Sequence, residues 1–236
     1  MRINDFSVLA FDCYGTLIDW EAGILAELTP WLRRNGGTQA DDAILEAFGA
    51  AESSVEAESP FRLYPDVLAE VHRRLAVTWG IAKDEAAARA FGASVGRWPA
   101  FADSAESLRY LKQHYKLVIL SNVDRASFAE SNKKLGVTFD RICTAQDVGS
   151  YKPSPRNFDY LLKEMAGMGI AKERILHTAQ SLFHDHAPAK AAGLRTIWIN
   201  RRKGRPGGGA TPPAEAKPDW EVASLAEMVA LHKRAG

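Results

Sequence analysis

Short, almost wholly apolar runs alternate with longer amphipathic stretches along this chain. "SVLAFD" (7–12), "KLVILSN" (116–122) and "RTIWIN" (195–200) are apolar or β-branched nearly throughout, as strands buried on both faces are. "RILHTA" (174–179) has the same character, and "RICTA" (141–145) a weaker version of it. Helix-period segments separate them: "DSAESLRYLKQHY", "RASFAESNKKLG", "NFDYLLKEMAGMG" and "DHAPAKAAG". Two of these close on Gly136 and Gly193, as helix C-termini commonly do. The alternation predicts a Rossmann-like α/β core in three layers, a parallel sheet with helices on both faces. Functional side chains in such sheets gather at the carboxyl ends of strands. Asp12, Ser121 with Asn122, and the polar stretch after Ala179 all fall there.

Between Trp20 and Trp98 the alternation stops. "AGILAELTPWLRRNG", "ADDAILEAFGAAESSVEA", "YPDVLAEVHRRLAVTWG" and "KDEAAARAFGASVGRW" read as successive amphipathic helices with no strand between them. The expected organisation is a catalytic core of residues 1–15 and 98–236 and a helical cap of residues 16–97, inserted after the first strand. Towards the end, "KGRPGGGATPPAEAKP" is a Gly/Pro-rich loop, followed by a last helix from Ser224. No internal repeat is present.

Composition narrows the classes further. The 236 residues are 46% apolar and 25% charged, enough to bury a sizeable core. A formal charge of +1 and no basic stripe argue against a nucleic-acid partner. The basic run "NRRKGR" (200–205) reads as a solvated loop. Cys13 and Cys143 are the only cysteines. Without CxxC spacing they fit a reducing compartment and no structural disulfide. With no apolar leader and no 18-residue apolar run, the expectation is a cytoplasmic protein with no membrane partner.

An aspartate at a strand end is weak evidence alone. Here four pieces recur in order: "FDCYGT", "LSN", "YKPSP" and "QSLFHDH". Together with the helical insert they resemble the haloacid dehalogenase superfamily over nearly the whole chain. The residue types suit nucleophilic catalysis. A rigid turn can aim Asp12 at an electrophile, and the charge of Lys152 can hold it ionised. Thr16, Ser121 and Asn122 offer donors to the nucleophile or to an anionic substrate.

Tyr14 then separates branches of that family. The phosphatase branch reads Asp-x-Asp, with the second carboxylate as general acid and Mg²⁺ held partly by fourth-motif acids. Here Tyr14 stands in the acid's place, and of the fourth-motif positions Ser181 and Asp185 only the latter is acidic. Asp-x-Tyr-Gly-Thr instead resembles the 2-haloacid dehalogenases, where Asp attacks carbon and an aspartyl ester is hydrolysed. The resemblance implies Asp12 as nucleophile, Asp185 with Lys152 positioning or activating water, and Thr16, Ser121 and Asn122 orienting Asp12 and a substrate carboxylate. Tyr14 would line the pocket. No metal and no organic cofactor are expected.

The match has gaps. The arginine with which haloacid dehalogenases meet the halogen is absent from its usual cap position; Arg33, Arg34 and Arg62 are off register and read as surface residues. Gln180-Ser181-Leu182 stands for Ser-Ser-Asn, and Phe158 for a tyrosine. "FDCYGTLIDWE", "HYKLVILSN", "TAQDVGSYKP" and "ILHTAQSLFHDH" more closely resemble the azetidine-2-carboxylate hydrolases, dehalogenase relatives in which a ring nitrogen leaves instead of halide. That family carries Glu where this chain has Gln180, which is expected among the substrate-binding residues. An amine leaving group favours a polar or anionic pocket over a halide-binding arginine, which tips the reading towards ring opening and keeps haloacid dehalogenation as the alternative. Trp20 would face the site from the start of the cap. His184 could assist the water or the leaving group, while His177 and His186 read as structural. A phosphatase and a non-catalytic ligand-binding member are the remaining readings. The expected partner is a small carboxylic acid, and a homodimer follows only by family analogy.

Overall fold

The computed structural model describes residues 2–205 and 207–235; Pro206, in the Gly/Pro-rich loop, and the end residues Met1 and Gly236 lie outside the described residues. Strand β1 (Val8–Phe11) is followed by four helices, α1 (Trp20–Arg34), α2 (Asp41–Glu58), α3 (Tyr64–Thr78) and α4 (Glu85–Gly92). Then come α5 (Ser104–Leu111), β2 (Lys116–Ser121), α6 (Arg125–Leu135), β3 (Arg141–Thr144), α7 (Ala145–Val148) and α8 (Pro155–Gly167). The chain continues through β4 (Ile175–Ala179), a π-helical turn (Leu182–His186), α9 (Ala187–Ala191), β5 (Arg195–Ile199), β6 (Trp220–Val222) and α10 (Leu225–Ala235). The six strands are all parallel, in the order β3-β2-β1-β4-β5-β6.

The apolar runs become strands because both faces of the sheet are covered. Leu9, Phe11, Leu117 and Ile119 point into one buried cluster, while Val8, Ala10, Val118 and Leu120 point into the other. That alternation is the two-residue period of a strand with a core on either side. Strand β6 is the element the pattern concealed. At three residues it shows no period, and it exists through pairing with β5. The strand order reverses at β1 and β4, so the crevice between their carboxyl ends is where a ligand site belongs in such a sheet.

Helices α1–α4 leave and rejoin the core through two antiparallel segments. Asp19 N donates to Pro99 O at 2.8 Å, Phe101 N to Leu17 O at 3.1 Å, and Ser104 Oγ to the same Leu17 O at 2.7 Å. Asp19 also caps α1, accepting from Ala22 N. A second tether corrects the reading of "NRRKGR" as a solvated loop. Arg201 reaches Thr16 O and Asp103, and Arg202 reaches Glu21 and Asp42, each guanidinium side chain only 10% exposed. The loop beyond them rests on the cap: a Cβ on Gly49 of α2 would lie 2.2 Å from Ala210 O, so only glycine allows the approach. Both cysteines are buried and unbridged. No helix among the described residues is long and apolar enough to cross a membrane.

Candidate active site

The turn after β1 winds around one carbonyl. Cys13 O accepts from the N–H groups of Thr16, Leu17 and Ile18, and Gly15 takes φ +86° to close the loop. This fixes Asp12, whose Oδ2 accepts from Thr16 Oγ1 at 2.7 Å. Thr16 Oγ1 in turn accepts from Gln180 N, tying the first motif to the fourth. Lys152, delivered by the segment before α8, places Nζ 3.0 Å from Asp12 Oδ1, 2.7 Å from Asp185 Oδ1 and 3.0 Å from Leu120 O. All three ammonium donors are thereby used. His177, on β4, makes a further 2.8 Å bond from Nε2 to Asp185 Oδ1.

The charges settle unequally. Burial acts against the Lys152 ammonium, but Asp12 and Asp185 more than offset it and its pKa rises. Burial also raises Asp185, yet Lys152 and His177 outweigh that and hold it well below the usual carboxylate range. Asp12 goes the other way: burial raises it, Lys152 opposes, and the nearby Asp185 adds to the rise. Lys152 pulls Asp12 towards its ionised form, but burial and Asp185 outweigh that pull, since the cation is shared and Asp185 takes more of its benefit. Asp12 is left the more basic carboxylate of the two, which is the better nucleophile once ionised.

A cavity of about 30 Å³ opens beside Asp12, lined also by Tyr14, Trp20, Glu52, Glu56, Tyr64, Ser121, Asn122, Lys152, Ser181, His184 and Asp185. Four polar atoms on these residues are buried without a protein partner: Ser121 Oγ, Asp185 Oδ2, His184 Nε2 and Glu56 Oε1. Buried polar groups are almost always paired, so such a concentration gives this cavity unmet hydrogen-bonding capacity. Burial lowers His184 to about 4, leaving a neutral imidazole.

Some sequence-derived residues sit elsewhere than expected. Tyr14 lends its ring to the cavity, but its hydroxyl bonds Ser131 Oγ at 2.9 Å, away from Asp12. Asn122 lines the cavity without touching Asp12: its amide donates to Glu56 Oε2 and Lys152 O and accepts from Lys152 N. Gln180 is outside the cavity, because its Oε1 accepts from Thr211 in the Gly/Pro-rich loop. His177, read as structural, instead grips Asp185, while His186 is spent on Ala179 O. Arg33 folds back on Gly37 O and Gln39 O, and neither it nor Arg34 or Arg62 lines the cavity.

The residues that sequence reasoning missed are Glu52, Glu56 and Tyr64 of the cap. Glu52 and Glu56 share one face of α2 with Ile44, Leu45, Phe48 and Val55, all buried. Two carboxyls one turn apart on an otherwise apolar face were the available signal. Tyr64 donates to Glu52 Oε1 at 2.6 Å. Burial pushes Glu52 up to about 7, Tyr64 opposes this and Asp12 adds to it. Glu56 lies well above the carboxylate range through burial and the neighbouring Glu52.

The donor set does not fit a phosphatase-type magnesium ion. Asp12 Oδ1 and Asp185 Oδ1 both face the Lys152 ammonium, the companion position is Ser181, and its Oγ is engaged by His184 N at 2.8 Å. Among the described residues no group of three or more His, Cys, Asp or Glu could hold a metal.

The model of the haloacid dehalogenase-like hydrolases matches residues 6–193. The chain belongs to that family. An (S)-2-haloacid dehalogenase of Pseudomonas putida is 33% identical over 131 residues, 54% of this chain and 54% of that one. The chain thus spans about half the length of the curated relatives it matches. Among solved structures, the L-2-haloacid dehalogenase PA0810 covers 98% of this chain and 99% of its own at 24% identity and TM-score 0.74. The L-2-haloacid dehalogenase of Xanthobacter autotrophicus covers 98% and 100% at 19% identity and TM-score 0.77. At these identities the two structures show a shared fold. As a haloacid dehalogenase-like hydrolase, the chain has the family's parallel sheet with its motifs at the strand ends, and a pocket wall with two carboxyls.

Proposed function

We propose that this protein hydrolyses a small 2-substituted carboxylic acid at its α-carbon through an aspartyl ester on Asp12, and that the leaving group is an amine nitrogen, as in L-azetidine-2-carboxylate. The observation that carries the reading is the pair Glu52 and Glu56 facing Asp12 across a cavity that, among the described residues, no arginine lines. Protonated carboxyls can donate to a leaving nitrogen, which benefits from a proton, whereas a departing halide needs none.

The geometry gives each group a task. Asp12 is held by Lys152 through one oxygen and Thr16 through the other, which aims the carboxylate while leaving it lone pairs for attack. Ser121 Oγ is the donor available to the substrate carboxylate. Attack at C2 breaks the C–N bond and forms the ester. Water held by the unpartnered Asp185 Oδ2 then attacks the ester carbonyl, restoring Asp12 and releasing a 2-hydroxy acid. His177 and Lys152 keep Asp185 oriented for that step.

Haloacid dehalogenation is the second reading, favoured by the 33% identity to the Pseudomonas putida (S)-2-haloacid dehalogenase. One experiment separates the two. L-azetidine-2-carboxylate and L-2-chloropropionate are offered separately in EDTA, under single turnover in ¹⁸O-water, to the wild type and to Asp12→Asn. Ring opening with unlabelled product and ¹⁸O retained on Asp12 is the expected result, abolished in D12N. Chloride release alone would overturn the amine leaving group, and label in the first-turnover product would overturn the ester.

A further inference from the structure

We propose that Glu56 is the proton donor to the leaving nitrogen, delivering the proton from Oε1 as the C–N bond breaks. This rests on the reading of an amine leaving group above. The two cap carboxyls are four residues apart on α2 and face the same cavity, yet their hydrogen bonds differ. Glu52 Oε1 accepts the Tyr64 hydroxyl at 2.6 Å, which commits that oxygen as an acceptor. Glu56 Oε2 accepts from Asn122 at 3.1 Å, while Oε1 is buried with no partner and belongs to a residue on the wall of the nucleophile's cavity. Two carboxylates one helical turn apart in a dry wall cannot both be charged cheaply. Glu56, bonded to the neutral Asn122 amide and to no cation, is the one to keep the proton, and burial together with Glu52 drives it that way against the weaker pull of Lys152. The groups around it are Glu52 on its own helix, Tyr64 on α3, and Tyr151, Lys152, Arg156 and His184 from the core.

The proton balance closes over one turnover. The ring nitrogen, bound without an extra proton, takes the proton of Glu56 as it leaves carbon with the bonding pair, and Asp12 loses its charge in the ester. The nitrogen is then a neutral primary amine, still tethered to the ester through the substrate's own carbons. Hydrolysis of the ester consumes one water, regenerates the Asp12 carboxylate and releases one proton, which returns Glu56 to its acid form. The substrate bound in this form and the amino hydroxy acid released carry the same net charge, so no further acid or base is needed within the turnover.

The test compares wild type with Glu56→Gln and Glu56→Asp on L-azetidine-2-carboxylate. An acid of this kind is worth about 100-fold or more in kcat. Glu56→Gln is expected to lose about that factor with KM changed only a few-fold, and E56D to recover part of it. The wild-type kcat should fall as pH rises and Glu56 ionises, and this limb should vanish in E56Q. In infrared difference spectra at neutral pH, a protonated-carboxyl band should disappear with E56Q in the substrate-free enzyme. Undiminished ring opening by E56Q, or no such band, overturns the proposal. A wild type that opens no ring at all overturns the parent reading along with it. Failure of Glu56 alone looks different, because wild type and E56Q then turn over alike.

Discussion

Core and cap each bring two buried carboxyls to one cavity, and they keep them in opposite ways. In the core, Asp12 and Asp185 share the Lys152 ammonium, with Thr16 and His177 completing their bonds. In the cap, Glu52 and Glu56 meet only neutral donors, the Tyr64 hydroxyl and the Asn122 amide. A charge-assisted bond is roughly twice as strong as a neutral one, and a buried carboxylate without a cation takes up a proton. The same residue chemistry therefore yields anions in one wall and acids in the other. The proposed reaction, in which a carboxylate attacks carbon and a leaving nitrogen takes a proton, uses both.

The largest way to break this contrast is to remove the core's cation. Lys152→Met keeps the stem's length and leaves Asp12 and Asp185 buried against each other. Breaking a buried pair in this way costs about 3–5 kcal/mol. The sign with pH follows from proton binding. Without Lys152, Asp12 rises further above its unfolded value and Asp185 loses the charge that lowers it, so the folded form binds more protons and its stability falls as pH rises. Urea unfolding at pH 8 and pH 5 should therefore show K152M much weaker than wild type at pH 8 and closer to it at pH 5. A deficit that is equal at both pH values would mean the core carboxyls do not depend on that charge.

A smaller effect of the opposite sign is expected in the cap. Glu52 is raised from its ordinary 4.5 to about 7 in the folded state. A raised carboxyl costs stability that accrues between the unfolded and folded values, so the penalty is absent below about pH 4.5 and complete above about pH 7. Glu52→Gln keeps an oxygen for the Tyr64 hydroxyl and cannot ionise. It should be more stable than wild type by about 3 kcal/mol at pH 8, with the advantage shrinking towards pH 5. Thermal melts of both proteins across that range check it, and a constant difference would place Glu52 in the same class as the core pair.

How much of this the sequence discloses depends on whether local pattern carries the information. The five longer strands announce themselves as apolar runs and the four cap helices by period, Asp12 and Ser121 by motif at strand ends, and Lys152 by the motif after β3. The three-residue β6 has no period to read. Arg201 and Arg202 look like solvent-facing charges until the fold sets Asp103, Glu21 and Asp42 opposite them. Gln180 sits inside a motif but is drawn to Thr211 by a loop 31 residues on. Glu52 and Glu56 were overlooked because helix α2 is acidic in general, and the sequence sets them apart only by their phase with Ile44, Leu45, Phe48 and Val55.

Tyr14 gives the smallest effect and the sharpest check on what stands in the place of a second carboxylate. Its ring packs edge-on to Trp98 at 5.7 Å and stacks on Tyr64 at 6.3 Å, while its hydroxyl is bonded to Ser131. Burial pushes its pKa well above the ordinary phenol value, so the hydroxyl is a poor proton donor. If Tyr14 contributes only its ring, Tyr14→Phe removes one buried hydrogen bond and leaves the wall intact. The loss should be about 1 kcal/mol of stability, with kcat and KM on the α-carbon substrate within a few-fold of wild type. A fall in kcat of about 100-fold without a matching loss of stability would instead make the Tyr14 hydroxyl the proton donor. The cap carboxyls would then be left with binding alone.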